Sequence, residues 1–200
     1  MRASETAIIF IEFQNESCRT GGKLYGLVKE EMQRQHTLPH AIHLMEVARK
    51  KGVQIIQAPY IYDAKWTDEH NVAGVVGNIK HSGAFRPGTW GAMQIEEARV
   101  KTDRGDVGLE GKRGLSAFTN TRLDKVLREK GIKHVAVCGY LTNLCVESTA
   151  RSAYDRGYHV VILKDATACA SQVIQEYVEN QIAPAIGQAM TVAEFAAALQ

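Results

Sequence analysis

The chain has 200 residues, of which 45% are hydrophobic and 23% are charged, and its formal net charge is +2. This length and balance are typical of one soluble globular domain, and the interspersed charges give no indication of a nucleic acid or an anionic membrane as partner. We find no signal peptide and no apolar run long enough to cross a membrane. The four cysteines have no CxxC spacing, so we expect free thiols and a cytoplasmic location.

Short apolar runs alternate with segments of helical periodicity along the chain. Strands are predicted at residues 6–13, 53–58, 108–112, 133–138, 158–163 and 190–191. Helices are predicted at residues 38–51, 120–130, 142–157, 171–181 and 193–199, with Gly52 ending the first and Pro184 stopping the fourth. This alternation predicts an α/β fold: a single three-layer α/β/α domain over residues 1–200, with a doubly wound parallel sheet of about six strands.

Two charged residues, Glu12 and Lys112, lie at the ends of predicted strands. Ligands of open α/β sheets bind at the carboxyl ends of the strands, which favours a functional site at this edge. Both residues are equally explained as solvent-exposed charges at the edge of the sheet, and a lone lysine is weak evidence for a functional site. The sequence therefore makes Glu12 and Lys112 candidate site residues without deciding their role.

Residues 60–99 form a long, glycine-containing segment with no obvious strand. A segment of this kind inside a compact domain is often a substrate loop or a lid, and a variable surface insertion is the alternative. Trp90 lies within it, between short glycine-containing stretches.

Cys145 is predicted in the first turn of the helix that follows the strand at 133–138, with Thr142 or Asn143 as its N-cap. The unpaired amides and the dipole at a helix start stabilise a thiolate, so we expect a lowered thiol pKa. The same amides can bind the oxyanion that forms when sulfur attacks a carbonyl. A small buried apolar residue is the alternative. The other cysteines, Cys18, Cys138 and Cys169, are interpreted as structural.

Four segments together resemble the isochorismatase-like cysteine hydrolases, which include nicotinamidases, N-carbamoylsarcosine amidohydrolase and ureidoacrylate amidohydrolases. These are residues 8–15 (IIFIEFQN), 111–121 (GKRGLSAFTNT), 138–146 (CGYLTNLCV) and 157–166 (GYHVVILKDA). Each segment alone is moderately specific. Their order and spacing extend the resemblance over nearly the whole chain.

The resemblance implies a catalytic triad of Glu12, Lys112 and Cys145, the residues that their positions had already nominated. It also implies a cis peptide between Tyr140 and Leu141 and an oxyanion hole that includes the amides of Leu141 and Cys145. The implied reaction is hydrolysis of a C–N bond in a small amide or ureide through a thioester. The family usually has aspartate where this chain has Glu12, so a catalytically silent ligand-binding or scaffold oligomer is the alternative.

The resemblance also bears on metals. Nicotinamidases carry an Asp-x-His pair after the second strand, whereas here Asp63 is followed two residues later by Lys65. Nearby His70 and His81 match no usual ligand spacing. We therefore expect no metal and no cofactor, which disfavours a nicotinamide substrate.

Three aromatic residues, Trp90, Phe118 and Tyr140, are candidates to wall the pocket for a small planar amide, although Phe118 suits an ordinary core position equally well. The family resemblance implies a homo-oligomer, a dimer or tetramer. The apolar segment at 182–199 would suit its interface.

Overall fold

A computed structural model describes residues 1–62, 73–112 and 114–200. Over these ranges the chain forms a sheet of six strands in the order β3-β2-β1-β4-β5-β6, and every neighbouring pair is parallel. The strands are β1 Thr6–Ile11, β2 Gln54–Ala58, β3 Val107–Gly108, β4 His134–Tyr140, β5 His159–Ala168 and β6 Gln188–Met190. This confirms the predicted doubly wound α/β fold.

Helices cover both faces of the sheet. They are α1 Asn15–Cys18, α2 Tyr25–Arg34, α3 Thr37–Lys51, α4 Gly74–Ser82, α5 Leu123–Glu129, α6 Glu147–Asp155, α7 Gln172–Tyr177, α8 Ala183–Ile186 and α9 Val192–Ala198. Gly52 ends α3 in the left-handed conformation, as predicted, and Thr191 begins α9 with a capping box.

Alternate residues of β1 belong to two separate cores, because successive side chains of a strand point to opposite faces. Ile8 and Phe10 pack with α2, α3 and α9, whereas Ala7, Ile9 and Ile11 pack with α5, α6 and α8. All six β1 residues are buried, which accounts for the continuous apolar run in the sequence. A third, smaller cluster joins α4 to Tyr60 and Phe85.

The predicted end of this strand at Cys138 is wrong, because β4 continues through Gly139 to Tyr140. Gly139 has a φ of +120°, and a Cβ placed there would lie 1.9 Å from the Ile11 carbonyl oxygen. Only glycine allows the two strands to approach so closely at this point.

Two further element boundaries differ from the predictions. β3 ends at Gly108, so Lys112 follows it in a loop rather than ending a strand. Pro184 does not stop the helical segment, because it lies near the N-terminus of α8, where a missing N–H costs little.

The C-terminal segment is unsuited to the interface suggested for it. Its large apolar side chains are buried within the chain itself: Ile182, Ile186, Val192, Phe195 and Leu199. A homo-oligomer stays a prediction without this interface. In the described part of the chain, no helix combines the length and apolar composition needed to cross a membrane.

Candidate active site

Glu12, Lys112 and Cys145 meet at the carboxyl edge of the sheet. Glu12 directly follows β1, and Cys145 lies five residues beyond the end of the neighbouring strand β4. The ammonium of Lys112 lies 2.6 Å from Glu12 Oε1 and 3.6 Å from Cys145 Sγ. The structure therefore places a thiol, a carboxylate and an ammonium in one buried cluster.

The backbone at Glu12 turns out of the strand in the left-handed region, with a φ of +57°. Its N–H donates to the Ala58 carbonyl, and its own carbonyl accepts the Gln14 N–H at 2.7 Å. This turn ends the strand at Ile11, two residues earlier than predicted. Left-handed backbone is uncommon for a glutamate and is often found where a side chain must be aimed into a site.

Lys112 is 1% exposed, so its charge depends on its neighbours. Besides Glu12 and Cys145, its ammonium donates to the Gly114 carbonyl at 3.0 Å and lies 4.9 Å from the centre of the Tyr60 ring. Burial opposes the charge, but attraction to the Cys145 sulfur when it is a thiolate, the charge of Glu12 and the hydrogen bond to Glu12 outweigh it, so the pKa of Lys112 is raised. We therefore expect Lys112 to carry a positive charge at neutral pH.

Cys145 lies in a π-helical turn, Thr142–Val146, rather than in the first turn of an α-helix, and α6 begins two residues after it. The N-cap prediction is also wrong, because Leu141 holds that position. The Thr142 hydroxyl instead bonds to Gln175 Oε1 and to the Thr167 hydroxyl. The peptide bond between Tyr140 and Leu141 is cis.

The expected lowering of the Cys145 thiol pKa is wrong for this state of the protein. Burial raises the pKa most, and the charge of Glu12 and a hydrogen bond to it add to the increase. The Lys112 ammonium acts in the opposite direction but does not outweigh them. The resting cluster therefore holds a neutral thiol beside an ion pair.

A small cavity of about 20 Å³ opens onto this cluster. That volume holds about one water molecule. Most of the other lining residues are apolar, and they come from loops, α4 and the turn before Cys145: Leu24, Tyr60, Val75, Val76, Ile79, Leu115, Leu141 and Leu144. The cavity lining thus combines the polar groups of Glu12 and Cys145 with hydrophobic side chains.

The predicted aromatic wall residues lie elsewhere, with no contact to this cavity. Trp90 is 50% exposed. Phe118 packs in the core against Tyr158 and the Arg156 guanidinium, and Tyr140 packs against Phe13. Among the described residues that line the cavity, the aromatic one is Tyr60, which follows β2 by two residues and could have been nominated by the same strand-end rule as Glu12.

No three His, Cys, Asp or Glu side chains within the described ranges are arranged to hold a metal ion. His81 contacts the Gly77 carbonyl of its own helix. Asp63, Lys65 and His70, which enter the metal argument, lie outside the described residues.

The family model of the isochorismatase domain matches residues 6–194. The chain is 32% identical to the ureidoacrylate amidohydrolase RutB of Caulobacter segnis, over 95% of this chain and 84% of that protein. It is 30% identical to the ureidoacrylate amidohydrolase RutB of Rhizobium rhizogenes, over 98% of this chain and 84% of the relative.

Solved structures of similar proteins have the same fold. A cysteine hydrolase from Pseudomonas syringae superposes with a TM-score of 0.83 at 27% identity, covering 98% of this chain and 93% of the other. An N-carbamoylsarcosine amidase from Thermoplasma acidophilum has a TM-score of 0.72 at 25% identity, covering 97% and 98% of the two chains.

Proposed function

Because this chain belongs to the isochorismatase family, we propose that it cleaves a C–N bond of a small amide or ureide with Cys145 as nucleophile. It is a hydrolase acting on C–N bonds other than peptide bonds, like relatives named ureidoacrylate amidohydrolase and N-carbamoylsarcosine amidase. The particular substrate class and the mechanism are the proposal.

One observation carries the mechanism: the buried ammonium of Lys112 contacts both the Glu12 carboxylate and the Cys145 sulfur. With a protonated lysine, the three side chains have no net charge whether the remaining proton sits on sulfur or on carboxylate. Transfer of the proton from Cys145 to Glu12 therefore brings no new net charge into the buried site, which limits its cost.

In the acylation step, Glu12 accepts the thiol proton as Cys145 Sγ attacks the substrate carbonyl carbon. The backbone amides of Leu141 and Cys145 are proposed to donate to the resulting oxyanion. When the C–N bond breaks, Glu12 returns the proton to the leaving nitrogen. The products are a thioester on Cys145 and ammonia or an amine.

Deacylation repeats the same proton transfers with water. Glu12 accepts a proton from a water molecule that attacks the thioester carbonyl, and the sulfur leaves as a thiolate held by Lys112. Glu12 then returns its proton to the sulfur, which restores the resting cluster. An amide yields a carboxylic acid, and a ureide yields a carbamic acid or its breakdown products.

The test is ammonia release from a panel of small amides and ureides, with wild type, Cys145→Ala and Glu12→Gln. We expect turnover of at least one compound by the wild type and its loss in both variants. Turnover lost only in Cys145→Ala would assign the proton transfers to a group other than Glu12. Turnover that survives in Cys145→Ala would refute the proposed nucleophile.

The comparisons do not support the alternative of a catalytically silent binding protein, since the named relatives are hydrolases. The replacement of aspartate by glutamate also leaves a carboxylate in contact with the lysine. A carboxylate paired with this lysine supports the role proposed for Glu12 as the group that accepts the thiol proton.

A further inference from the structure

Thr149 lies on α6, one turn after Cys145, and is completely buried. Its hydroxyl donates to the backbone carbonyl of Cys145 at 2.6 Å. The same oxygen accepts the backbone N–H of Ala117 at 2.9 Å. One hydroxyl therefore connects the turn that carries the nucleophile to a second segment, 32 residues away in the sequence.

That second segment is the one that leads away from Lys112. The Gly114 carbonyl accepts a hydrogen bond from the Lys112 ammonium, and Gly114 and Leu115 line the cavity beside Cys145. The segment is thus tied to Cys145 at two points: through the lysine nitrogen to the sulfur at 3.6 Å, and through Ala117 and Thr149 to the backbone.

We propose that Thr149 is a positioning residue that sets the separation between the Lys112 ammonium and the Cys145 sulfur. This inference rests on the proposed function for its effect on turnover but not for its effect on the thiol. When the hydrogen bonds of Thr149 are lost, the distance between the Lys112 ammonium and the Cys145 sulfur is less well fixed. The ammonium favours the thiolate, so it then stabilises the thiolate less.

Two substitutions separate the hydroxyl from the rest of the side chain. Thr149→Val keeps the shape but removes both hydrogen bonds and leaves the Ala117 N–H without its partner. Thr149→Ser keeps the hydroxyl and loses only a methyl group. Thr121→Val is a matched control, because the Thr121 hydroxyl donates to the carbonyl of the same Ala117 at 2.6 Å and accepts the Leu123 N–H rather than bonding to Cys145.

The primary measurement is the rate of Cys145 alkylation by iodoacetamide as a function of pH, followed by mass spectrometry. We expect the Thr149→Val profile to move to higher pH, with a lower rate at each pH, because the thiolate is less stabilised. On an amide substrate we expect kcat to fall about 10- to 100-fold with little change in KM. Thr149→Ser should stay within about threefold of wild type in both assays.

Thr121→Val should lower the melting temperature while its alkylation profile coincides with that of wild type. The inference is overturned if Thr149→Val alkylates like wild type, or if Thr121→Val shifts the profile equally. If Thr149→Val does not fold, Thr149→Ala provides the same comparison without a methyl group facing the Ala117 amide. A wild type that hydrolyses nothing would refute the proposed function, while alkylation would still decide the role of Thr149.

Discussion

Replacement of Glu12 by glutamine is the most informative change to the site. The variant keeps the size of the side chain and removes its charge, leaving Lys112, which is 1% exposed, with no carboxylate at 2.6 Å. Two opposite charges at that separation attract by about 6 kcal/mol at an effective dielectric of 20. Part of this is offset by the cost of burial, and removal of one partner of a buried pair typically costs about 3–5 kcal/mol.

We therefore expect Glu12→Gln to lower the free energy of unfolding by about 3–5 kcal/mol, measured by urea denaturation at neutral pH. We also expect kcat for ammonia release to fall at least about 100-fold, because the general base is lost. Glu12→Asp is the matched variant: it keeps the charge but shortens the side chain by one methylene, about 1.5 Å. Its losses in stability and turnover should both be smaller than those of Glu12→Gln.

If Glu12→Gln keeps more than half of the wild-type kcat, Glu12 is not the group that accepts the thiol proton, and the proposed mechanism is refuted. An unchanged stability would contradict the assignment of Lys112 as a buried cation that depends on Glu12. A Glu12→Asp variant faster than wild type would show that the extra methylene of glutamate hinders the reaction rather than serving it.

Three further results are expected. Because folding raises the pKa of Cys145, the protonated thiol stabilises the folded chain. This stabilisation is present below the unfolded pKa of about 8.5 and is lost as the pH rises toward the higher folded pKa. Urea titrations should show wild type losing up to about 1.4 kcal/mol per pH unit more than Cys145→Ala in that range, and parallel slopes would contradict this. Gly139→Ala should cost more than about 3 kcal/mol or prevent folding, since its Cβ would lie 1.9 Å from the Ile11 oxygen. Gly131→Ala, at a φ of +65° with open space around it, should cost only about 1 kcal/mol, and equal losses would refute the steric argument. Ile79→Ala should widen the cavity and speed the alkylation of Cys145, and an unchanged rate would show that Ile79 does not limit access.

The order of the six strands and of most helices could be predicted because it depends on patterns within the sequence, whereas α2 and α4 were not predicted. The continuous apolar run of β1 follows from burial on both faces, and Gly52 ends α3 for a local conformational reason. The nomination of Glu12 likewise needed only the rule that sites lie at the carboxyl edge of a parallel sheet. Lys112 was nominated as the end of a strand that in the structure already stops at Gly108. These features arise from short stretches of chain and general topology.

The errors arise where distant segments decide the local structure. The π-turn at Cys145 is accompanied by contacts of Thr142 with Thr167 and Gln175, which no local pattern reveals. The cavity walls were assigned to Trp90 and Phe118 because aromatic residues are common in pockets, yet their positions depend on how loops pack. The lowered pKa of Cys145 was predicted from the helix start and the nearby cation Lys112, and burial reverses the direction of the shift.

The raised thiol pKa and the small cavity are consistent with one another in the proposed mechanism. A cavity of about 20 Å³ holds about one water molecule, so we expect the walls formed by Leu24 and α4 to move apart when an amide binds. Burial raises the pKa of Cys145 and so favours the protonated thiol, which is less reactive than the thiolate. A bound substrate supplies the carbonyl that accepts the sulfur lone pair while Glu12 takes the proton, so a free thiolate never has to accumulate. In the proposed mechanism, the bound substrate rather than a permanently lowered pKa thus activates Cys145, and the charge of Lys112 balances the cluster whether the proton lies on Cys145 or on Glu12.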